Sequence, residues 1–325
     1  MHHRIKATSI SAKPRGVRRD APAPPQWPTY QGQSQFAGTS PSGRVTVYVD
    51  PTLGPRGLQN AQDLVNDADR VVNANDQIFG TQGQPVSVIV YALDGRTDGT
   101  GGADHGGCDY SSGAAIEVCA SFGSSARVSA LFEAELSECS MGGNLCGVST
   151  GEALSRWCAA VIGNNVLSDF ATAPTWQQDN MPNWVDQTEA TDGDPDSTGC
   201  GMAFISWLMS QGYTLSQIAQ GMVQRGENGT LAELYAGLGA GSSSNAWNTF
   251  MSAVQNLPGP ITSDDPFGGG AQLAQLTHIS PETLALAGRI FSAIVSDVAS
   301  GKSHHGIVAS VRAALSSAPH DLAAD

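Results

Sequence analysis

Basic charge is scarce in this chain. Lysine and arginine together number 16 against 30 aspartates and glutamates, a formal net charge of −14. That sign repels phosphate backbones and anionic lipid surfaces, so nucleic acid is not expected as a partner. Long apolar runs are missing as well: no stretch approaches the about 18 consecutive apolar residues of a spanning helix, so no membrane span is expected. No phosphate loop of the Gly-x-x-x-x-Gly-Lys type and no dinucleotide fingerprint occurs. Histidine is sparse. Of seven, His2, His3, His278, His304, His305 and His320 lie towards the ends and only His105 lies in the body of the chain, with no serine elbow beside it to make a triad. Close Cys-x-x-Cys pairs, the mark of zinc ribbons and thioredoxin-type sites, are also missing.

What remains is a globular composition, 40 % apolar and 14 % charged over 325 residues, long enough for a full core. Six cysteines, Cys108, Cys119, Cys139, Cys146, Cys158 and Cys200, cluster in the central part. An even number in such a cluster reads as disulfides made in an oxidising compartment, which places the protein outside the cell or in a periplasm. Short loops favour Cys108–Cys119 and Cys139–Cys146, leaving Cys158–Cys200, although six cysteines allow about 15 pairings. Met1 to Asp20 is basic, yet no apolar segment of a signal peptide follows it.

Residues 1–42 are rich in Pro, Gly, Ser and Gln and read as a flexible arm, with Trp27, Tyr30 and Phe36 able to dock part of it. Residues 43–258 form the main domain. Val45, Val47 and Val49 alternate with Thr46 and Tyr48 in a strand over 44–50. Leu64, Val65, Ala68, Val71, Val72 and Ile78 recur at helical spacing over 58–79, with Gly80 as the cap. A second, central strand covers 85–93. A loop with seven glycines from Gly95 to Gly113 precedes a short third strand at 114–120. Helices are expected over 127–141, 150–162, 198–210 and 245–257. Capping boxes start two more, at Thr214–Gln217 and Thr230–Glu233. Residues 259–325 read as a linker followed by a helical hairpin, whose His304–His305 and apolar Ile290, Phe291, Ile294 and Val311 suit presentation to a partner.

The order of elements, strand, helix, strand, edge strand, long helix and then a mostly helical half, resembles the zincin metallopeptidases of the gluzincin type. In that family the long helix carries His-Glu-x-x-His, because residues a turn apart on one face reach the same metal. Here the helix reads Glu133-Ala134-Glu135-Leu136-Ser137-Glu138-Cys139. Ala134 and Glu138 stand at the histidine positions and Glu135 at the general-base position. The next helix, Thr150-Gly151-Glu152-Ala153-Leu154-Ser155-Arg156, is similar to the family's third-ligand segment, with Glu152 at the ligand position. The resemblance implies an α+β fold, a small mixed sheet packed on the active-site-type helix.

The missing histidines weigh against the family's zinc, which takes three protein ligands and a water. Zinc is therefore not expected at this position, whereas calcium or another hard cation suits carboxylates. The resemblance thus implies a degenerate site serving as a binding or interaction module for a protein, peptide or glycan. Its rivals are a hydrolase that uses Glu135, Glu138 and Glu152 for acid/base chemistry, and a structural component presenting the C-terminal hairpin. Glu152 and Arg156, at i and i+4, can simply pair, and Glu133 and Glu135 can simply be solvated. Asp94, Asp98, Asp104 and Asp109 in the glycine-rich loop read as solvated. Asp186, Asp192, Asp194 and Asp196, flanked by Trp176 and Trp184, line a cleft or an ordered loop. Asn228-Gly229-Thr230 fits both a glycosylation sequon and a turn.

Overall fold

A computed structural model of the protein describes residues 22–270 apart from 111 and 112. The hairpin expected over 273–325, with its histidines, lies outside the described residues. The fold is α+β. Five strands, β1 (Gln35–Thr39), β2 (Val45–Val49), β3 (Val86–Tyr91), β4 (Ala103–Gly106) and β5 (Ala115–Cys119), form one mixed sheet in the order β1-β2-β3-β5-β4. β2, β3 and β5 run parallel, with Val47 opposite Val88 and Val88 opposite Ile116. β1 and β4 close the two edges antiparallel.

Side chains alternate across a strand. Val45, Val47, Val49, Val86, Val88, Val90, Ile116 and Val118 enter the main core, where α1 (Gly54–Phe79) and α2 (Ser125–Met141) cover the sheet. Each fully buried valine or isoleucine contributes about 1.5–3 kcal/mol relative to exposure. The opposite residues, Tyr48, Ile89 and Tyr91, form a second small core with Trp27. Both faces of β3 are thus covered, which is why its sequence is apolar at every position except Ser87.

The cover on this second face comes from residues 22–34, part of the stretch whose composition reads as an arm. Trp27 packs edge-on against Tyr48, and Tyr30 against Tyr91. Tyr48 Oη donates to the carbonyls of Pro22 and Ala23. Glu117 of β5, fully buried, accepts the backbone N–H of Thr29 (3.0 Å) and Tyr30 (2.7 Å) and the Thr29 hydroxyl (2.6 Å). Proline and glutamine enrichment reflects the lack of regular structure here, not a lack of contacts.

The glycine-rich loop differs from expectation in a way that matters for the site. It contains β4, which pairs with β5, so β5 is an inner strand and β4 forms the edge. Four residues are too few to display a period-2 pattern among so many glycines. The helical half comprises α3 (Ser149–Ile162), α4 (Ala173–Gln178), α5 (Pro195–Ser210), α6 (Leu215–Arg225), α7 (Leu231–Gly237) and α8 (Ala246–Gln255). Both capping boxes are present, at Thr214 and Thr230, and Asn228 sits exposed in the turn before α7. α5 is buried nearly all round; its Phe204 and Trp207 join Phe250, Trp176 and Tyr235 in one aromatic cluster. α4 lies in the stretch between α3 and α5. It packs so closely on α5 that a Cβ at Gly199 would meet the Thr172 carbonyl oxygen at 2.4 Å.

None of the three expected disulfide pairs occurs. The one disulfide among the described residues joins Cys108 to Cys146, 38 positions apart, while Cys119, Cys139, Cys158 and Cys200 are free and buried. Loop length was the wrong criterion, because pairing follows from which Cβ atoms the fold brings together. Four buried free cysteines behave instead as small apolar side chains.

Replacing Glu117 by Ala leaves the Thr29 and Tyr30 amides without their acceptor, about 1–3 kcal/mol for each amide that stays buried. We expect a lower urea midpoint and new protease cleavage within residues 22–34, read by mass spectrometry.

Candidate functional site

A cavity of about 280 Å³ opens between β4, α2 and α3, and its wall includes His105, Glu135, Glu138, Glu152, Ser155 and Arg156. The helical repeat explains the glutamates. Glu135 and Glu138 are three apart on α2 and share a face, and Glu152 comes from the first turn of the adjacent α3. Ala134, at the first motif position, also lines the cavity. Glu133 does not: two positions from Glu135, it points into the core, fully buried. The expectation that Glu133 is solvated fails for that reason.

His105 projects from the edge strand. Its Nε2 lies 3.2 Å from Glu138 Oε2 and 3.9 Å from Glu135 Oε2, and its Nδ1 lies 2.9 Å from the Gly107 carbonyl oxygen. Glu138 Oε1 accepts from Ser155 Oγ at 3.1 Å. Glu152 shares the cavity wall with Glu138 and accepts from Arg156 Nε at 2.5 Å, the i,i+4 pair anticipated from spacing. Arg156 Nη1 also donates to the Phe170 carbonyl at 2.7 Å.

These surroundings drive the carboxyl groups apart. Burial, then the like charge of Glu138, raises Glu135 well above the usual carboxylate range, with His105 opposing. Burial likewise pushes Glu152 up to about 7, against the pull of Arg156. Glu138 moves the other way: burial opposes its charge, but hydrogen bonds from His105, Glu152 and Ser155 outweigh it. Burial also disfavours the imidazolium of His105, yet its hydrogen bonds to the Cys139 sulfur and to Glu138 hold it up to about 11. Near neutral pH the cavity thus holds one carboxylate, Glu138, beside a charged imidazole, a protonated Glu135 and a Glu152 that is about half protonated. Such a carboxylate and carboxylic acid in contact can divide proton acceptance and proton donation between them.

The acidic loops contribute unevenly. Asp104 and Asp192 line the cavity, and Asp104 Oδ1 accepts the His105 N–H. Asp98 accepts the Thr100 amide, Asp186 the Asn183 side chain, and Asp194 caps α5. Asp264, from a segment read only as linker, lines the cavity and accepts the Thr172 and Ala173 amides at the start of α4. Among the described residues, the only three or more His, Cys, Asp or Glu ligand atoms mutually within 4.8 Å belong to His105, Cys108 and Cys146. The glutamates do not draw together to that degree.

Sequence reasoning singled out Glu135, Glu138 and Glu152, and the structure brings all three to one cavity. It passed over His105, because an isolated histidine in a glycine-rich loop carries no spacing signal, and Ser155. No protein-family model matches the chain, and neither curated proteins nor solved structures contain a match. No helix among the described residues is long and apolar enough to cross a membrane.

Glu133 generates a stability test. Neither of its carboxyl oxygens has a hydrogen-bond partner. Burial raises it well above the ordinary value of 4.5, with Arg70 opposing and Asp76 reinforcing; the Cys158 thiol is a further neighbour. A carboxyl raised in the folded state favours folding while protonated in both states. That advantage declines as pH climbs above the unfolded value, by up to about 1.4 kcal/mol per pH unit. The Glu133→Gln variant lacks this decline, so its stability relative to wild type should increase steadily from pH 4.5 upwards in urea titrations.

Proposed function

We propose that the chain is a zincin-like hydrolase that works by carboxyl acid/base chemistry at Glu138 and Glu152, acting on peptides or glycans outside the cytosol. The observation that carries this reading is the convergence of Glu138 and Glu152 on one cavity wall, in surroundings that shift one down and the other up to about 7. In this reaction Glu138 takes a proton from a water molecule whose oxygen attacks the scissile centre. Glu152 gives its proton to the departing or carbonyl oxygen or nitrogen. The His105 imidazolium, 3.2 Å from Glu138, holds the base in its charged form and offers positive charge to a developing oxyanion. Asp104, Asp192 and Asp264 on the wall disfavour anionic substrates and suit neutral sugars or amine-bearing peptides.

The zincin reading is supported by the antiparallel edge strand β4 beside the cleft and by Glu135 and Glu152 at the family's base and third-ligand positions. The Cys108–Cys146 disulfide is compatible with an oxidising compartment. A second reading, a degenerate site that only binds its ligand, is favoured by the ion pair that engages Glu152 with Arg156.

A panel of peptides and oligosaccharides, read by mass spectrometry, distinguishes them. The hydrolase reading expects turnover whose alkaline limb falls through pH 7 as Glu152 loses its proton. It also expects a loss of about 10²–10⁴-fold in kcat for Glu138→Gln or Glu152→Gln. Turnover unchanged in Glu138→Gln removes this mechanism; binding without turnover at any pH leaves the binding module.

A further inference from the structure

We propose that His105, Cys108, Cys139 and Cys146 form a zinc site that becomes available when the Cys108–Cys146 disulfide is reduced. This site is separate from the family's metal position on α2, but it takes the His105 nitrogen that otherwise pairs with Glu138.

Three of the four ligand atoms are already assembled. His105 Nε2, Cys108 Sγ and Cys146 Sγ lie mutually within 4.8 Å. His105 Nε2 is 3.6 Å from Cys146 Sγ, which matches the ~3.6 Å edge of a tetrahedron with Zn–N of ~2.1 Å and Zn–S of ~2.3 Å. The fourth ligand, Cys139, is a free thiol whose sulfur lies 3.6 Å from the Gly107 carbonyl oxygen of the same loop. A disulfide needs only two cysteines. A third sulfur and an imidazole gathered around it compose a Cys₃His set, a common structural zinc arrangement.

The backbone supports this set. Gly107 at φ +81° turns the chain immediately after β4, so that Cys108 folds back beside His105, two residues intervening. Tyr110 N donates to the Cys139 carbonyl at 3.1 Å, tying this loop to the C-terminal end of α2. Cys139 and Cys146 flank that end and the turn after it. The Nδ1 contact with the Gly107 carbonyl orients the ring, the usual outer support of a zinc-bound histidine, and zinc would take Nε2 from its contact with Glu138.

A dithiol reductant delivers two electrons and two protons to the Cys108–Cys146 bond and is itself oxidised to a disulfide. Zinc then displaces one proton from each of three thiols and the Nε2 proton from the imidazolium, and four protons pass to solvent. The oxidised protein has only Cys139 and His105 to offer and does not hold the ion.

The test uses the full-length protein, reduced with dithiothreitol, desalted without oxygen and titrated with zinc chloride or cobalt chloride alone. We expect one zinc per chain after reduction and none before. We expect a near-ultraviolet sulfur-to-cobalt absorption that falls by about one third in Cys139→Ser, as thiolate ligands drop from three to two. Cys200→Ser, a buried cysteine on α5, should bind like wild type. Because variants can unfold, wild-type protein supplies a second measurement: zinc should protect Cys108 and Cys146 from iodoacetamide, and a chelator should restore labelling. Equal zinc binding with the disulfide intact overturns the proposal. So does failure of fully reduced, folded protein to bind, or cobalt absorption unchanged in Cys139→Ser.

Discussion

The charged carboxylate of Glu138 is held from two directions at once, by His105 of the edge strand at 3.2 Å and by Ser155 of α3 at 3.1 Å. A buried carboxylate without such partners costs several kcal/mol, so β4, α2 and α3 satisfy it only when all three are in place. The same contacts define the cavity wall. Fold and site are therefore one constraint: displacing β4 removes the imidazole, and the charge on Glu138 then has no local compensation.

Four glutamates illustrate how environment sets chemistry. Glu117 is fully buried, yet the backbone amides of residues 29 and 30 surround it, so it serves as an anchor for the segment that covers the second face of the sheet. Glu133 is equally buried without partners and is driven to its neutral form. Glu138 retains charge because donors converge on it, and Glu152, in contact with it, is pushed up to about 7. The residue type is constant; what differs is the number of donors that reach each carboxyl group.

Cysteine behaves in the same context-dependent way. Composition counts six equivalents, but the fold divides them into one bonded pair beside His105, one thiol against the same imidazole, and three thiols in the core. The bonded pair and the third thiol sit where the loop after β4 and the end of α2 meet. The disulfide thereby meets the histidine on which the charge of Glu138 depends.

Local pattern determined most of the secondary structure. Alternating valines specified β2 and β3, the helical spacing of Leu64 to Ile78 specified α1, and Thr214 and Thr230 marked two helix starts, because each signal lies within a few residues of the chain. The same spacing placed Glu135 and Glu138 on one helical face. The sequence left β4 unread, since four residues among glycines display no period, and it left His105, Ser155 and the Cys108–Cys146 bond without assignment. Those depend on contacts across 17 to 41 positions, and the chain's local physics carries no record of such distances; only the folded arrangement of β4 against α2 and α3 decides them.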